Sequence, residues 1–252
     1  MDGDQERPLL HGTCRYTNLM HARSRSDIIE CDEDLVIKLY SPRTPKEAVE
    51  EEVFFTNLAR DHGLRVPWIT DLVEDNGRWG YAYRRIAGPT LLHWAAEQAE
   101  TAFDMVPLAF AAIHREIHGH YDSRLPSIRT RLRSTISAGE KVPSRVRAKA
   151  LRALKDLPDG NCICHGDFHP ENIIMAEGGP MVLDWVDAAA GHHTADVVRS
   201  YVLLDVWLPT KVQELGIDLS CSRLDLLCQG YRKAYFDIGD GEDDLFYPEL
   251  DS

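Results

Sequence analysis

The residue types best suited to chemistry lie in one loop and at one strand end. The loop runs from His165 to Asn172 and reads HGDFHPEN, and Asp184-Trp185 follows twelve residues after it, at the end of an apolar run. Carboxylate and amide oxygens are the hard ligands that Mg²⁺ prefers, and Mg²⁺ in turn bridges phosphate oxygens. A further carboxylate can orient an attacking hydroxyl group. One loop and one strand end can therefore supply the groups that phosphoryl transfer requires.

The loop has the spacing H-x-D-x-x-x-x-N and resembles the catalytic loop of protein kinases, where the aspartate receives the substrate hydroxyl proton and the asparagine holds Mg²⁺. An Asp-Trp pair stands where protein kinases have Asp-Phe-Gly. This combination resembles the aminoglycoside phosphotransferases and their choline kinase relatives. Residues 108–114, which read LAFAAIH, and the later Ala188, Gly191 and Asp196 extend the resemblance over roughly residues 24–235.

The resemblance implies a role for each matching residue. Asp167 would be the catalytic base, and Asn172 and Asp184 would be the Mg²⁺ ligands. Lys38 would be the strand lysine that contacts the phosphates of the co-substrate, which is ATP or GTP. Glu51 would be the helix partner of this lysine, although a glutamate stands on either side of it.

The segment expected to cover the phosphates departs from the protein-kinase pattern. Residues 22–27 precede the first predicted hairpin but lack the Gly-x-Gly-x-x-Gly sequence. Ser24 and Ser26 could donate hydrogen bonds to phosphate from this segment, or they could be ordinary turn residues. At the predicted hinge, main-chain groups of Arg84 and Ile86 would pair with the edge of the nucleobase.

The elements that must position these residues predict an α+β fold. Before Gly88-Pro89, hydrophobic patterning predicts a β-hairpin with Lys38 on its second strand, an amphipathic helix and two more strands, over residues 27–40, 45–61, 68–73 and 79–83. After this break the pattern is mainly helical, with helices predicted over 91–118 and 144–157. Two short strands, 161–164 and 180–183, flank the polar loop.

The break at Gly88-Pro89 also predicts the domain organisation. Residues 1–87 are expected to form an N-terminal nucleotide-binding lobe with its hinge at about 84–88, and residues 88–252 a catalytic and acceptor-binding lobe. The resemblance implies a bilobal protein-kinase-like fold, in which a small antiparallel β-sheet lobe joins a larger, mainly helical lobe and nucleotide lies in the cleft.

The charge balance bears on possible partners. Lys and Arg total 28 against 41 Asp and Glu, which gives a formal charge of −13. This balance argues against a nucleic-acid surface, because phosphate contacts require clustered cations. It suits a cationic ligand, although excess carboxylate can also serve solubility alone. Asp240, Asp243 and Asp244 belong to an acidic C-terminal run that could bind a cationic acceptor or could be a solvated tail.

The cysteines and histidines have less specific patterns. Six scattered cysteines in a chain of 252 residues are expected to be reduced, and Cys162 and Cys164 fit an alternating strand better than a zinc site. His114 and His118 have the helical spacing of a metal pair, but packing is the preferred interpretation because no third ligand is defined. Asp196 is expected to cap or orient the helix that follows it.

The ends of the chain and its apolar stretches favour the cytoplasm. The amino-terminal residues form neither a basic nor an apolar segment, and no stretch is long enough to span a bilayer. No membrane partner is therefore expected.

These features together predict a Mg²⁺-dependent small-molecule kinase. The expected acceptor is a hydroxyl of a cationic compound, with an aminoglycoside-type antibiotic favoured. One alternative is a metabolic kinase for choline, a sugar or an amino alcohol, because the motifs handle phosphate rather than the acceptor. Another is a catalytically idle nucleotide-binding protein that regulates a partner. The oligomeric state stays open.

Overall fold

The computed structural model describes residues 26–32 and 34–237, together with the backbone of residues 7–8 and 13–14. The chain divides into two compact units. The first comprises the described residues up to Gly88 together with residues 174–187, and the second comprises Pro89–Ile173 and the described residues from Ala188 onward.

The described residues up to Arg84 form six strands and one helix. They are β1 (Arg7–Pro8), β2 (Thr13–Cys14), β3 (Ser26–Asp32), β4 (Leu35–Tyr40), α1 (Lys46–Asp61), β5 (Ile69–Asp75) and β6 (Arg78–Arg84). The predicted hairpin, helix and two further strands are thus confirmed, with small shifts in their bounds. An Asn76-Gly77 turn with positive φ at both residues joins β5 to β6, which is the conformation that a two-residue hairpin turn needs.

The described elements after Gly88 are four helices, then four short strands, then three helices. They are α2 (Leu91–Glu97), α3 (Met105–His118), α4 (Ile128–Ala138), α5 (Ser144–Asp156), β7 (Cys162–Cys164), β8 (Ile173–Ala176), β9 (Gly179–Val182), β10 (Ala189–Gly191), α6 (His193–Val202), α7 (Leu208–Leu215) and α8 (Cys221–Asp237). Short 3₁₀ turns span Glu100–Ala102, Pro170–Asn172 and Trp185–Asp187, and one π-helical turn spans Leu203–Trp207.

The first unit is built on a four-stranded antiparallel sheet in the order β3-β4-β6-β5. Successive side chains of a strand point to opposite faces, so Ile37 and Leu39 pack with Ile29 on one face while Tyr40 packs with Val49 of α1 on the other. Lys38 has the same parity as Tyr40. The alternation of β4 therefore directs the Lys38 ammonium toward α1.

The second unit is centred on the pair α3 and α8, and the loop of interest joins this core through Phe168. The Phe168 ring stacks on Phe110 of α3 with centroids 4.6 Å apart, and Tyr231 of α8 lies 4.8 Å from Phe110. Strands β7 and β10 pair antiparallel, and α4 packs against β10 and α5. The loop after β7 thus starts from a strand inside the core.

The helix predicted over 91–118 is wrong in its middle, where the chain leaves α2 after Glu97 and starts α3 at Met105. Pro107 explains the break: proline lacks an N–H and is tolerated in the first turn of a helix but not in its interior. The sequence patterns did not predict α4, because most of its residues are polar or charged and Ile128 is its only buried residue.

The cysteines partly follow the expectation of reduced thiols. Cys162, Cys164, Cys221 and Cys228 are free, and Cys162 and Cys164 lie in strand β7 as predicted. The expectation is wrong for Cys31, which is disulfide-bonded. Within the described part of the chain, no helix has both the length and the apolar character needed to cross a membrane.

Candidate active site

The first unit holds Lys38 between two carboxylates. The Lys38 Nζ donates to Glu52 Oε1 at 2.9 Å and to Asp184 Oδ1 at 2.8 Å. Its side chain is only 10% exposed, whereas that of Asp184 is 35% exposed. Residues that are 146 positions apart in the sequence therefore meet at one ammonium group.

The helix partner of Lys38 is Glu52, so the prediction of Glu51 is wrong by one residue. Helix α1 buries Val49, Glu52, Phe55, Thr56 and Ala59, which recur at the three- and four-residue spacing of one helix face. Glu51 is turned about 100° from this face and is exposed.

Glu52 has two further donors besides Lys38. The hydroxyl of Tyr81 donates to Glu52 Oε1 at 2.8 Å, and the hydroxyl of Tyr40 donates to Oε2. Burial raises the pKa of Glu52, an effect that the Lys38 ammonium partly offsets. Burial alone would lower the pKa of Lys38, but the tyrosines and carboxylates around it raise that pKa well above its ordinary value. Lys38 is therefore charged at neutral pH and is held in place.

Replacing Glu52 should separate its role from that of its neighbour. Glu52→Gln removes the charge that Lys38, Tyr40 and Tyr81 share, so we expect the free energy of unfolding to fall by about 1–3 kcal/mol. If Lys38 contacts nucleotide phosphates as the sequence predicts, the nucleotide KM should also rise about tenfold, because Lys38 loses one of its two anchors. Thermal unfolding and steady-state kinetics measure the two effects.

Glu51→Gln is the matched control, since it makes the same chemical change one residue away on the exposed side of α1. It should change the free energy of unfolding by less than about 0.5 kcal/mol. Equal effects of the two substitutions would contradict the assignment of Glu52.

Asp184 is presented by a tight turn after β9. Its φ is 63°, a left-handed conformation that aspartate and asparagine tolerate better than most residues. The next residue, Trp185, is fully buried, and its indole N–H donates to the carbonyl of Val182 at 3.0 Å. The 3₁₀ turn that begins at Trp185 packs against α1. In the Asp-Trp pair, the buried Trp185 therefore anchors the turn, and the partly exposed Asp184 carboxylate directly precedes it.

The second unit presents the loop between β7 and β8. The Asp196 carboxylate accepts hydrogen bonds from the backbone N–H of His165 at 2.6 Å and of Gly166 at 2.9 Å. Gly166 has a φ of 80°, which lets the chain turn directly after this contact. The N–H of Asp167 then donates to His165 Nδ1 at 3.1 Å. Asp196, expected to act on its own helix, instead fixes the loop.

Asp167 lies among cationic and imidazole groups. Its Oδ1 is 3.2 Å from Arg199 Nη2, and its Oδ2 is 3.6 Å from His169 Nε2. Burial alone would raise the pKa of Asp167, but His169, His165 and Arg199 hold it well below its usual value. The side chain is 27% exposed. Asp167 is therefore an ionised carboxylate that a substrate can reach.

Asn172 is oriented by the same loop. Its amide nitrogen donates to the backbone oxygen of Asp167 at 2.9 Å. The two atoms of an amide point in different directions, so this hydrogen bond turns the amide oxygen away from the loop backbone. Glu171 beside it accepts a hydrogen bond from Thr90 at 2.7 Å, which ties the loop to the start of α2. The loop thus offers the Asn172 oxygen as a hard ligand.

Beneath the loop, two histidines converge on Asp196. The Nε2 atoms of His114 and His118 lie 3.1 and 3.2 Å from Asp196 Oδ2, and their Nδ1 atoms lie 2.7 and 2.6 Å from the hydroxyls of Tyr231 and Tyr235. The three groups are close enough to hold a metal ion. However, a metal would replace hydrogen bonds that every one of these ring nitrogens already makes. The geometry therefore fits a buried hydrogen-bond network that supports Asp196.

The buried network predicts a loss of stability in acid. Burial lowers the pKa of His114 to about 3 from an ordinary value of 6.5, and His118 adds to this effect although Asp196 opposes it. The unfolded chain therefore binds one more proton than the folded chain between these pH values, so stability falls as pH falls below 6.5. We expect a loss of about 1.4 kcal/mol per pH unit from this residue. Urea unfolding between pH 7 and 4.5 measures it.

His114→Gln is the comparison that isolates this proton. The unfolding free energy should depend less steeply on pH in His114→Gln than in the wild type. The slope should fall by up to about 1.4 kcal/mol per pH unit, which is the contribution of one proton. In the wild type, the NMR signal of the His114 ring should not titrate between pH 7 and 5. A titration near pH 6.5 would show that the ring is not held neutral.

The remaining predicted site residues fall into two groups. Ser24, Asp240, Asp243 and Asp244 lie outside the described residues. Ser26 begins β3 and is half-buried. The N–H of Arg84 donates to the carbonyl of Trp68 at 3.1 Å and is therefore not the donor for a nucleobase. The roles of Ser26 and of the Ile86 main chain stay predictions.

Sequence reasoning missed Tyr40, Tyr81 and Arg199. Tyr81 pairs directly with Lys38 across β4 and β6, and Tyr40 follows Lys38 by two residues on the same strand face. Strand alternation was thus a usable signal for Tyr40. Arg199 lies on α6, 32 positions after Asp167 in the sequence, and no local sequence pattern predicts a contact between them.

Comparison with protein-family models matches residues 23–235 to the phosphotransferase enzyme family, abbreviated APH. Comparison with curated protein sequences gives no match. Among solved structures, the aminoglycoside phosphotransferase APH(2″)-Ib bound to ADP is 17% identical and has a TM-score of 0.54, with 87% of this chain and 81% of that chain covered.

Two further solved structures have the same level of similarity. The amicoumacin kinase hAmiN, in complex with AMP-PNP, Ca²⁺ and Ami, is 16% identical with a TM-score of 0.54, covering 84% of this chain and 70% of that chain. APH(3″)-Id from Streptomyces rimosus, in complex with ADP and streptomycin, is 14% identical with a TM-score of 0.52, covering 83% and 90%. These similarities confirm the predicted α+β protein-kinase-like fold.

Proposed function

The chain belongs to the phosphotransferase enzyme family, and on that premise we propose that it transfers the γ-phosphoryl group of ATP or GTP to a hydroxyl group of a small molecule. The observation that carries the proposal is the Lys38 ammonium held between Glu52 and Asp184. A strand lysine paired with a helix glutamate is what kinases use to hold nucleotide phosphates. Solved structures of similar fold contain ADP or AMP-PNP.

We assign the proton transfer to Asp167. As the acceptor hydroxyl loses its proton to this carboxylate, its oxygen bonds to the γ-phosphorus, and the bond from that phosphorus to the β-phosphate oxygen breaks to release the nucleoside diphosphate. Arg199 and His169 keep the carboxylate ionised and ready to receive the proton. Asp196 holds the loop, so it positions Asp167 without touching the substrate.

Asn172 and Asp184 would hold Mg²⁺, since both offer the hard oxygen donors that this ion prefers. When bound, Mg²⁺ neutralises charge on the phosphates. The Asn172 amide nitrogen is already engaged, which fits a role for its oxygen as the ligand. The Asp184 carboxylate is the more exposed partner of its ion pair with Lys38, which leaves it accessible to a metal.

We propose an aminoglycoside-type antibiotic, or another cationic alcohol, as the acceptor. Support comes from the net charge of −13 and from solved structures of similar fold that are complexes with gentamicin, kanamycin or streptomycin. A metabolic kinase for choline, a sugar or an amino alcohol is the second candidate, because the family motifs concern phosphate rather than the acceptor. The enzyme would act in the cytoplasm, where its nucleotide co-substrate is made.

A panel of acceptors tests the proposal. The purified protein is incubated with Mg²⁺, ATP or GTP and an aminoglycoside, choline, an amino alcohol or a neutral sugar, and mass spectrometry detects the phosphorylated product. We expect one amine-bearing acceptor to be phosphorylated, with nucleotide consumed in equal amount. Nucleotide binding without any transfer would favour the idle regulatory alternative, and a neutral sugar as best acceptor would overturn the cationic proposal.

The acidic C-terminal run gives a separate test of acceptor charge. Replacing Asp240, Asp243 and Asp244 together by asparagine should raise the KM of a cationic acceptor and leave the nucleotide KM nearly unchanged, because the change removes only electrostatic attraction. The effect should vanish at 1 M salt, where the Debye length is about 3 Å. An unchanged acceptor KM at low salt would make the run a solvated tail.

A further inference from the structure

The helices α4 and α5 carry charge opposite to that of the rest of the molecule. Residues Ile128–Asp156 contain nine of the 28 Lys and Arg residues but only two of the 41 Asp and Glu residues, so this segment has a formal charge of +7. The remaining residues include 19 Lys and Arg against 39 Asp and Glu, a formal charge of −20. The net charge of −13 is therefore the sum of a positively charged segment, residues 128–156, and a negatively charged remainder.

Some of these cations hold the two helices together. Arg129 donates to the carbonyls of Leu154 and Leu157 and to the Asp159 carboxylate, and Arg147 donates to the carbonyl of Ser137. These arginines connect α4 with α5 and the segment after it. Their role in the fold is therefore clear, and they are not counted as part of a binding surface.

Six other cations of the segment are exposed: Arg133, Lys141, Arg145, Lys149, Arg152 and Lys155. None of them has an ion-pair partner among the described residues, although carboxylates outnumber cations in the chain. We call these six residues the basic face. Uncompensated like charges raise the free energy of the compact state, so a cluster of them without partners calls for a ligand that neutralises it.

The basic face follows a regular line along α5. Arg145, Lys149 and Arg152 are spaced i, i+4 and i+7 and lie within about 60° of one another around the helix, directly opposite the buried Leu154. Their Cα atoms rise by about 6 Å and 4.5 Å along the axis. A duplex carries one phosphate charge per about 1.7 Å of its axis, counting both strands, so each cation can find a phosphate.

We propose that the basic face binds the phosphate backbone of a nucleic acid duplex without reading its sequence. Residues 128–156 contain no Phe, Trp or Tyr, so the segment offers no ring on which the bases of a single strand could stack. An anionic membrane is the less favoured ligand, because an interfacial helix inserts an exposed apolar face. On α5 the buried apolar residue Leu154 is turned inward, and the exposed large apolar side chains of the segment are two valines, Val142 and Val146, which are too small a patch for insertion.

The negative charge of the remaining residues favours binding of a duplex at the basic face over binding elsewhere on the molecule. The residues outside 128–156 carry a formal charge of −20 in total and repel a duplex on balance, so α4 and α5 are the favoured place of approach. The whole-chain charge argues against a nucleic-acid surface, but the requirement for clustered cations is local, and the basic face meets it. Such binding would hold this enzyme near nucleic acid, and it does not depend on the proposed kinase activity.

The expected affinity follows from counterion release. If each of the six residues contacts one phosphate of a duplex, the slope of log K against log salt concentration is about −5.4. If the association constant is of order 1 M⁻¹ at 1 M salt, the dissociation constant at 0.1 M salt is about 4 μM. That value lies within the ordinary range of about 1–100 μM for sequence-independent binding.

Fluorescence anisotropy with labelled 20-base-pair DNA and RNA duplexes tests the proposal. Comparing the two affinities shows whether the basic face binds DNA, RNA or both. The double variant Arg145→Gln/Lys149→Gln loses two contacts, so its affinity at 0.1 M salt should fall about 60-fold and its salt slope should shrink by about 1.8. The control Arg43→Gln/Lys233→Gln removes two exposed cations elsewhere and should change the affinity by less than about threefold. Thermal unfolding checks that both variants fold.

Three outcomes would overturn the proposal. The first is that the wild type binds neither duplex at 0.1 M salt. The second is that the two double variants lose affinity equally. The third is that the protein binds vesicles of anionic phospholipid but no duplex. The last result would assign the basic face to a membrane surface instead. Activity of the enzyme enters none of these measurements, so they are independent of whether the protein phosphorylates any acceptor.

Discussion

Asp167→Asn is expected to lower kcat by about 10²- to 10⁴-fold while nucleotide affinity stays within about twofold of wild type. An amide has nearly the shape of a carboxylate but cannot take the hydroxyl proton. The structure adds that Asp167 is ionised and lies beside Arg199, whose charge the substitution leaves in place. The loss corresponds to about 3–5 kcal/mol of activation free energy. Single-turnover kinetics with the best acceptor, together with calorimetric titration of nucleotide, measures both quantities.

Asp205→Asn provides the matched control, because Asp205 is an exposed carboxylate in the π-helical turn of the same unit. It should leave kcat unchanged within about twofold. If Asp167→Asn kept near wild-type turnover under conditions where chemistry limits the rate, Asp167 would not be the base. If Asp167→Asn lowered thermal stability as well as kcat, the substitution would instead have disturbed the loop, which Asp196 and His165 hold in place.

The positions that the sequence predicts well depend on neighbouring residues. The spacing of the HGDFHPEN motif places Asp167 and Asn172 in one short loop, which the Asp196 carboxylate anchors. Lys38 follows from strand alternation, because a lysine in a β-branched run must point to one definite face. Such signals depend on periodicity and loop length, and these are properties of neighbouring residues.

The failures occur where a choice depends on packing. Three consecutive glutamates, Glu50 to Glu52, differ only in the direction each points from α1, and the buried positions Val49, Phe55 and Ala59 decide that direction. Counting three- and four-residue steps from these apolar residues would have selected Glu52. The family resemblance had selected Glu51, which is one residue too early.

Contacts distant in sequence stay out of reach of pattern reasoning. The break at Gly88-Pro89 is visible in the sequence, but nothing local shows that residues 174–187 join the first unit. Their membership rests on the packing of the turn after Asp184 against α1 and on the Arg65 carbonyl, which accepts from the N–H of Val182 at 2.9 Å. A sequence pattern can place Asp184 at a strand end but cannot place it beside Lys38.

That position determines how Asp184 should be tested. Alanine would confound the loss of charge with backbone strain, because Asp184 has a φ of 63° and only residues such as asparagine tolerate this conformation well. Asp184→Asn keeps the shape and the backbone preference while removing the charge. The substitution therefore isolates the carboxylate as a metal ligand and as the partner of Lys38.

We expect Asp184→Asn to weaken Mg²⁺-dependent nucleotide binding by about 10²-fold and to lower turnover with it, since even groups that only support a metal ligand contribute about 10- to 100-fold to metal affinity. Calorimetry with and without EDTA separates the two roles: loss of a Mg²⁺ ligand affects binding only when the metal is present, whereas a displaced Lys38 weakens binding in both conditions. Glu177→Gln, an exposed charge seven residues earlier in the same hairpin, should change neither. Unchanged Mg²⁺-nucleotide affinity in Asp184→Asn would remove Asp184 from the metal site, because its charge is what a hard divalent cation binds.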